Sequence, residues 1–323
     1  MKSINGLVAV EGVPQRISRS GGVPGAGEVA IKVHASGVNR ADLMQIKGNY
    51  PSPAGYSDFL GLECAGVIES VGAGVEGWSE GAPVMALLAA GGFNDRVVCD
   101  GRQLLPLPDG WSMEQGAAFV EAYATAWLNL FQLGELKPGE RVLLYAGASG
   151  VGSAAIQLCK LMGNPVTVVV GSNAKADFCR QLGADHAVLR NSDQCWQQLE
   201  ALGPFELLLD PVAGDWLQRS LSIMAQDGRL MLIGLMGGSR CQLNAATVLM
   251  KRIRIQGSTL RGRSVAFKGK LLDSLRGAVW GGMKEQTIMP VIDRVFEIEE
   301  IAAAFEYLAS NRNMGKIIVR HGQ

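Results

Sequence analysis

The amino-acid sequence predicts an α/β protein of two domains, the second of which is built on a doubly wound parallel sheet. Three observations lead to this prediction. The chain has 323 residues, of which 48% are hydrophobic, and this length exceeds what one core usually organises. A glycine-rich turn joins an apolar strand to a helix near residue 147. Six apolar strands then alternate with helices up to residue 257.

The first 119 residues predict a mainly-β domain, because short apolar strands are separated there by glycine and proline. The spacing of Ser112 and Gln115 is that of a capping box, and it opens a long apolar helix that we expect to lead into the second domain. The predicted domains are 1–119 with 258–323, and 120–257. We expect the C-terminal segment to return to the first domain and to close a cleft between the two.

The second domain is predicted from its strands, which are apolar runs typical of strands covered on both faces. They are 141–146, 166–170, 187–189, 206–210, 229–234 and 253–257. Gly163, Gly183 and Gly203 each follow a helical segment, where a left-handed cap is expected.

The turn within residues 141–152 predicts a dinucleotide site. Gly147, Gly150 and Gly152 permit tight curvature, and the helix that follows offers unpaired N–H groups and a positive dipole end to a pyrophosphate. The next strand completes a βαβ unit, which favours this interpretation over an ordinary surface turn. After that strand the chain has no carboxylate but reads Gly171-Ser-Asn-Ala-Lys175, which suits the 2′-phosphate of NADPH better than the free hydroxyl of NADH. Ser172 and Lys175 are the predicted phosphate contacts, with a solvated Lys175 as the alternative.

Composition disfavours several classes of function. Lys plus Arg and Asp plus Glu are equal at 30 each, so the chain lacks the charge of a nucleic-acid or acidic-membrane binder. The apolar stretch at the N-terminus is too short for a signal peptide and no later run is long enough for a membrane span, so we expect a cytoplasmic protein. The six cysteines are scattered and there are three histidines, so we expect no metal site.

Six motifs in order along nearly the whole chain resemble the zinc-independent quinone oxidoreductases of the medium-chain dehydrogenase/reductase superfamily, in particular the p53-inducible quinone oxidoreductase group. These motifs are Gly37-Val-Asn-Arg-Ala-Asp42, Gly48-Asn-Tyr-Pro51, Gly61-Leu-Glu-Cys-Ala-Gly-Val67, Ala146-Gly-Ala-Ser-Gly-Val-Gly152, Gly234-Leu-Met-Gly-Gly238 and Asn313-Met-Gly-Lys316. The resemblance implies a GroES-like, mainly-β catalytic domain split around a Rossmann domain, NADPH as hydride donor, and a homodimer.

The resemblance also bears on the metal. Zinc-dependent relatives have a cysteine where this chain has Asn39 and a histidine where it has Leu62, and they carry a four-cysteine loop that this sequence lacks. Lewis-acid oxidation of an alcohol is therefore disfavoured. We expect hydride transfer to a conjugated acceptor instead.

Three catalytic residues are implied by the resemblance. Tyr50 is expected to stack on a flat acceptor and to reach its oxygen, although it could be a half-exposed loop residue. Asn39 is expected to hydrogen-bond near the nicotinamide or substrate, or only to stabilise its turn. Ser149 is expected to face the active site from the phosphate turn, or to be a structural turn residue. Asp42 is expected to orient the backbone or to pair with a base such as Arg40.

The cofactor-binding residues come from the same resemblance. They are Thr125, Gly147, Ser149, Gly150, Val151, Gly171, Ser172, Lys175, Val212, Gly234, Met236, Leu260 and Asn313. Arg190 stands where relatives commonly have a tyrosine over the adenosine phosphate, and its guanidinium could bind the 2′-phosphate or point into solvent. Val97 stands where relatives often have an aromatic residue, so the shape of the substrate pocket is not predicted.

These residues predict an NADPH-dependent quinone oxidoreductase. The nearest alternative is an enone or alkenal reductase with the same cofactor geometry. An alternative of another class is a non-catalytic NADPH-binding sensor or an RNA-binding protein, against which the neutral net charge argues.

Overall fold

The computed structural model describes residues 3–322, which form two compact units. The first unit runs to Ala124 and resumes at Leu260, and the second is Thr125–Thr259. The sequence-based boundaries lie a few residues earlier, because one continuous helix, Met113–Trp127, spans residue 120.

Fifteen strands and nine α-helices lie within residues 3–322. The strands are β1 (Ser3–Val10), β2 (Val13–Ser20), β3 (Glu28–Val38), β4 (Glu63–Val71), β5 (Pro83–Leu87), β6 (Arg96–Asp100), β7 (Leu104–Pro106), β8 (Val142–Tyr145), β9 (Val166–Val170), β10 (His186–Leu189), β11 (Phe205–Asp210), β12 (Met224–Leu232), β13 (Arg254–Gly257), β14 (Ile292–Glu297) and β15 (Lys316–Arg320). The helices are α1 (Arg40–Ile46), α2 (Met113–Trp127), α3 (Gly150–Leu161), α4 (Asn173–Gln181), α5 (Cys195–Leu202), α6 (Asp215–Ile223), α7 (Ala245–Lys251), α8 (Val265–Lys284) and α9 (Ile301–Ala309).

The first unit is mainly β. A seven-stranded sheet has the order β14-β15-β3-β4-β5-β7, with β6 also paired to β3, and the hairpin β1-β2 forms a second sheet. Strand β15 pairs antiparallel with β3, so the C-terminal segment belongs to this unit. The hairpin could not be predicted from the sequence, because β2 carries no buried residue that would give it an apolar face.

The second unit confirms the predicted doubly wound sheet. Its six strands are all parallel, in the order β10-β9-β8-β11-β12-β13. From β8 the chain adds β9 and β10 on one side, and it then crosses to the other side of β8 to add β11, β12 and β13. Leu143, Leu208 and Leu230 on three of these strands are completely buried. Burial of each such side chain contributes about 1.5–3 kcal/mol, which makes the apolar runs the main stabilising feature of the sheet.

Helix ends follow the sequence signals at most positions. The Ser112 N–H donates to Gln115 Oε1 at 2.8 Å, and the Gln115 N–H donates to Ser112 Oγ at 3.3 Å, which is the predicted capping box. Gly163 and Gly183 adopt the left-handed conformation with φ of +77° and +106°. The same prediction is wrong for Gly203, whose φ is −76°, because the residue before a proline favours extended backbone.

Candidate functional site

The glycine-rich turn of the second unit lies between β8 and α3. Ser149 caps α3, with its Oγ accepting the Gly152 N–H at 3.0 Å, while its own N–H donates to Ala146 O at 2.9 Å. Gly150 and Val151 are the first two helical residues, whose N–H groups have no acceptor within the helix. The turn therefore presents two amides at the positive end of the α3 dipole.

The turn has no room for larger residues. A Cβ on Gly147 would lie 2.6 Å from the Val168 Cβ, and one on Gly152 would lie 2.4 Å from the Gly147 carbonyl oxygen. These positions need glycine because backbone and neighbouring strand approach closely, which leaves the amides accessible to a ligand. The residues present therefore fit the pyrophosphate of a dinucleotide.

Two basic residues, Lys175 and Arg190, follow strands β9 and β10. Arg190 is adjacent to Leu189, which pairs with Val170, and one Arg190 nitrogen lies 3.6 Å from the place that a Gly171 Cβ would occupy. Ser172 caps α4, and its Oγ accepts the Lys175 N–H at 3.3 Å. The structure thus brings Gly171, Ser172, Lys175 and Arg190 to one corner of the sheet.

Three further predicted residues also follow strands of this sheet. The Val212 N–H, after β11, donates to Asp210 Oδ1 at 2.7 Å. Gly234 and Met236 follow β12, and the Met236 N–H donates to Pro211 O at 3.1 Å. Like the glycine-rich turn, they lie at the carboxyl ends of parallel strands, the edge at which doubly wound sheets bind ligands. Thr125 belongs to α2, where its carbonyl accepts a bond from Asn129 Nδ2.

In the first unit, Asn39 belongs to a buried polar network. Its Nδ2 donates to Glu63 Oε1 at 2.9 Å, its Oδ1 accepts from Lys316 Nζ at 2.8 Å, and its N–H donates to Asp42 Oδ2 at 2.7 Å. Both ends of the amide are therefore bonded inside the protein. A direct hydrogen bond from Asn39 to the substrate that accepts the hydride stays a prediction. To form it, Asn39 would have to break one of these hydrogen bonds.

The Glu63–Lys316 ion pair forms the centre of that network. The two side chains are 0% and 5% exposed, and Nζ lies 2.6 Å from Oε1. Lys316 Nζ also donates to Val38 O, and Glu63 Oε2 accepts the N–H of Glu121 at 2.9 Å. Both residues lie in motifs that carry the family resemblance, but the sequence analysis gave neither a role, because their contact joins strands 253 positions apart.

Asp42 is completely buried beside this network. Its Oδ2 accepts the Asn39 N–H, while Oδ1 has no hydrogen-bond partner within residues 3–322. Burial raises the pKa of this carboxyl to about 7, against the opposing effects of the Asn39 bond and of nearby Lys316 and Arg261. Asp42 thus orients the backbone, as one of the two expectations held. The expected pairing with Arg40 is wrong, since Arg40 bonds Leu308 O and Asn311 instead.

Arg261 fixes the loop that carries Tyr50. Its guanidinium is buried and donates to Ala89 O at 2.7 Å, to Tyr50 O at 3.0 Å, and to the side chains of Gln45 and Ser52 at 2.8 Å. It also lies 5.4 Å from the Tyr50 ring centroid. This clamp was missed because no local pattern connects Arg261 to residues some 200 positions earlier.

The half-buried phenol of Tyr50 remains a proton donor. Burial and the charge of Glu121 raise its pKa above the ordinary value, while Arg261 opposes this rise. Two other predicted residues also belong to the first unit. Leu260 is buried, and the buried Asn313 donates from Nδ2 to Gly315 O at 2.8 Å.

The described residues hold neither a cluster of metal ligands nor a membrane-spanning helix. Within 3–322, three or more His, Cys, Asp or Glu side chains nowhere come together in a group that could hold a metal ion. Over the same residues, each helix is too short or too polar to cross a membrane.

Two protein-family models match the chain. The alcohol dehydrogenase GroES-like domain matches residues 25–109, and the zinc-binding dehydrogenase family matches residues 150–275. Among curated proteins, the polyketide synthase GfsB of Streptomyces halstedii is 33% identical over 294 residues. That match covers 91% of this chain but 5% of the synthase, so the chain spans a small part of that relative's length.

Solved structures match over almost their whole length. The quinone oxidoreductase of Thermus thermophilus, also solved in complex with NADPH, is 28% identical with a TM-score of 0.82, and the match covers 98% of this chain and 99% of that one. The CurK enoyl reductase is 25% identical with a TM-score of 0.86, and 99% of each chain is covered.

Asp42 yields a prediction about stability. The folded state holds a proton on Asp42 up to about pH 7, whereas the unfolded chain releases it near pH 4. The stability of the wild type therefore falls as pH rises through this window, while Asp42→Asn keeps the bond to Asn39 and does not ionise. At pH 8 we expect the free energy of unfolding of the variant to exceed that of the wild type by at most roughly 4 kcal/mol, since each pKa unit is worth about 1.4 kcal/mol. Near pH 4 the two free energies of unfolding should be equal.

The measurement is urea unfolding at a series of pH values. Asp273→Asn, which changes an exposed carboxylate on α8, serves as the control and should show no such trend. A difference for Asp42→Asn that stays constant from pH 4 to pH 8 would contradict the prediction.

Proposed function

Because the chain belongs to the medium-chain dehydrogenase/reductase superfamily, we propose that it is an NADPH-dependent oxidoreductase that transfers a hydride to a quinone without a metal. Its first unit has the GroES-like fold and its second unit has the Rossmann fold, as the resemblance implied. Membership of the p53-inducible group stays a prediction.

The choice of NADPH rests on the corner of the sheet after β9. A 2′-phosphate there would meet the Ser172 hydroxyl and the basic side chains of Lys175 and Arg190, and Gly171–Lys175 contributes no carboxylate to repel it. This is the observation that carries the cofactor assignment. The Thermus thermophilus structure with NADPH supports it by analogy.

A bound nicotinamide supplies the hydride, and the protein's own contribution is binding and orientation. The amides of Gly150 and Val151 would hold the pyrophosphate. The ring of Tyr50 can stack on a flat acceptor, and its hydroxyl can donate to the oxyanion that forms. One oriented donor of this kind contributes about 3–4 kcal/mol to the transition state, and the Arg261 clamp keeps the Tyr50 backbone in place for it.

A second candidate function is the reduction of an enone or alkenal. The match to the CurK enoyl reductase favours it, since hydride addition to the carbon β to a carbonyl needs the same cofactor and oxyanion donor. A quinone is the flatter and more extended partner for the half-buried Tyr50 ring, which is why we place it first.

The cofactor assignment predicts the effect of Lys175→Ala combined with Arg190→Ala. Loss of two charge-assisted contacts should weaken NADPH binding by about 100-fold, whereas the affinity for NADH should change less than about 3-fold. Isothermal titration calorimetry measures both affinities. Arg180→Ala removes an exposed guanidinium from the same helix, α4, and should leave both unchanged. Equal losses for the two nucleotides in the double variant would refute the phosphate contacts.

The substrate assignment predicts faster NADPH oxidation with 1,2-naphthoquinone or 1,4-benzoquinone than with an alkenone. In the preferred reaction Tyr50→Phe should lower kcat by about 100-fold, because it deletes one oxyanion donor. Tyr307→Phe, on helix α9, is the matched control and should behave as the wild type. Faster NADPH oxidation with the alkenone would contradict the assignment of quinone reduction and favour enone reduction as the function. NADPH binding without reduction of any acceptor would favour the non-catalytic alternative.

A further inference from the structure

Asp210 is the last residue of β11, at the carboxyl end of a strand of the parallel sheet. Its side chain is 0% exposed. One carboxyl oxygen, Oδ1, accepts the N–H of Val212 at 2.7 Å and the N–H of Ala213 at 2.9 Å. Ala213 has a φ of +57°, a left-handed conformation that is strained for a residue other than glycine. The two bonds to Asp210 therefore hold a tight turn that the main chain alone would not favour.

The turn after β11 is joined to the loop after β12. Three main-chain hydrogen bonds connect them, from Ile233 N–H to Asp210 O at 2.9 Å, from Met236 N–H to Pro211 O at 3.1 Å, and from Gly237 N–H to Val212 O at 2.6 Å. The two segments pack so closely that a Cβ on Gly214 would lie 2.4 Å from the Gly237 carbonyl oxygen. Asp210 thus shapes the first segment directly and the second through the main chain.

These two segments flank the dinucleotide site on the side away from the adenosine. Under the proposed function, the 2′-phosphate would lie after β9 and the pyrophosphate at the turn between β8 and α3. The ends of β11 and β12 lie on the opposite side of β8 from β9. Because a dinucleotide binds across the point where the strand order reverses, its nicotinamide half is expected beside them. Val212, Gly234 and Met236, three of the predicted cofactor residues, belong to these segments.

We propose that Asp210 is a positioning residue for the nicotinamide half of NADPH. The inference rests on the proposed function. Since Asp210 is completely buried, it acts through the turn at Val212 and the loop joined to that turn, and not by touching the cofactor. The main chain of both segments is then already in place when the cofactor binds, so binding does not have to order it. Without the carboxyl group, the N–H groups of Val212 and Ala213 would lose their acceptor and the turn would be released.

The second carboxyl oxygen makes a conservative variant possible. Oδ2 of Asp210 has no hydrogen-bond partner within residues 3–322, so the described hydrogen bonds of this side chain depend on Oδ1 alone. Asparagine keeps an oxygen for the two N–H groups and has nearly the same shape. Alanine removes the acceptor altogether. The proposal therefore predicts that the two substitutions differ in their effect on the cofactor.

The test measures the binding of NADPH and of adenosine 2′,5′-bisphosphate, which has the 2′-phosphate but no nicotinamide, by isothermal titration calorimetry. Asp210→Ala should weaken NADPH binding by about 10-fold or more and change the affinity for the bisphosphate by less than about 2-fold. Asp210→Asn should bind both ligands as the wild type does. Asp215→Ala, an exposed carboxylate in the first turn of α6, is the control and should also match the wild type. Equal losses for both ligands in Asp210→Ala, or no recovery in Asp210→Asn, would overturn the positioning role.

A second measurement does not require any variant to fold. Hydrogen exchange of the wild type should show slow exchange at the N–H groups that join the segments, those of Val212, Ala213, Ile233, Met236 and Gly237. NADPH should slow them further, whereas adenosine 2′,5′-bisphosphate should not. Fast exchange in the free protein would overturn the proposal and leave the proposed function standing. A wild type that shows the expected exchange and binds NADPH but reduces no acceptor would refute the proposed reductase activity and support the role of Asp210.

Discussion

The buried carboxylate of Glu63 is the constraint on which the first unit depends. A charge removed from water must be paired and hydrogen-bonded, and Glu63 meets this demand with Lys316, the Asn39 amide and the N–H of Glu121. These partners come from the β3–α1 junction, from α2 and from β15. These three segments must therefore meet at β4 for the carboxylate of Glu63 to be buried.

Within residues 3–322, two buried lysines of the same unit differ in their hydrogen bonding. Lys316 donates to three oxygen atoms, those of Val38, Asn39 and Glu63, so each of its hydrogens has an acceptor. Lys268 has no such acceptor within residues 3–322 and retains its proton weakly. The first lysine suits a structural role. The second unit relies on backbone amides at a glycine-rich turn, which need no buried charge to receive a phosphate.

The sequence predicted what depends on local pattern. The six apolar runs and the turn at Gly147 indicated the second unit. The burial of a strand and the close packing of the backbone at a glycine both depend on residues that are neighbours in the sequence. The engagement of both ends of the Asn39 amide by Glu63 and Lys316 could not be predicted, because it depends on pairing between β3, β4 and β15. Arg261 and Lys268 were missed for the same reason: an arginine or a lysine in a helical or loop pattern is ordinarily read as solvated.

The central claim is that Glu63 and Lys316 stabilise the first unit as a coupled pair. Its most direct test is a double-mutant cycle on the free energy of unfolding, with Glu63→Gln, Lys316→Met and the two combined. Each single change should cost about 3–5 kcal/mol, because it leaves a buried partner unmatched. The combined change should cost at least about 2 kcal/mol less than the sum. Single effects that add to within about 0.5 kcal/mol would contradict the account.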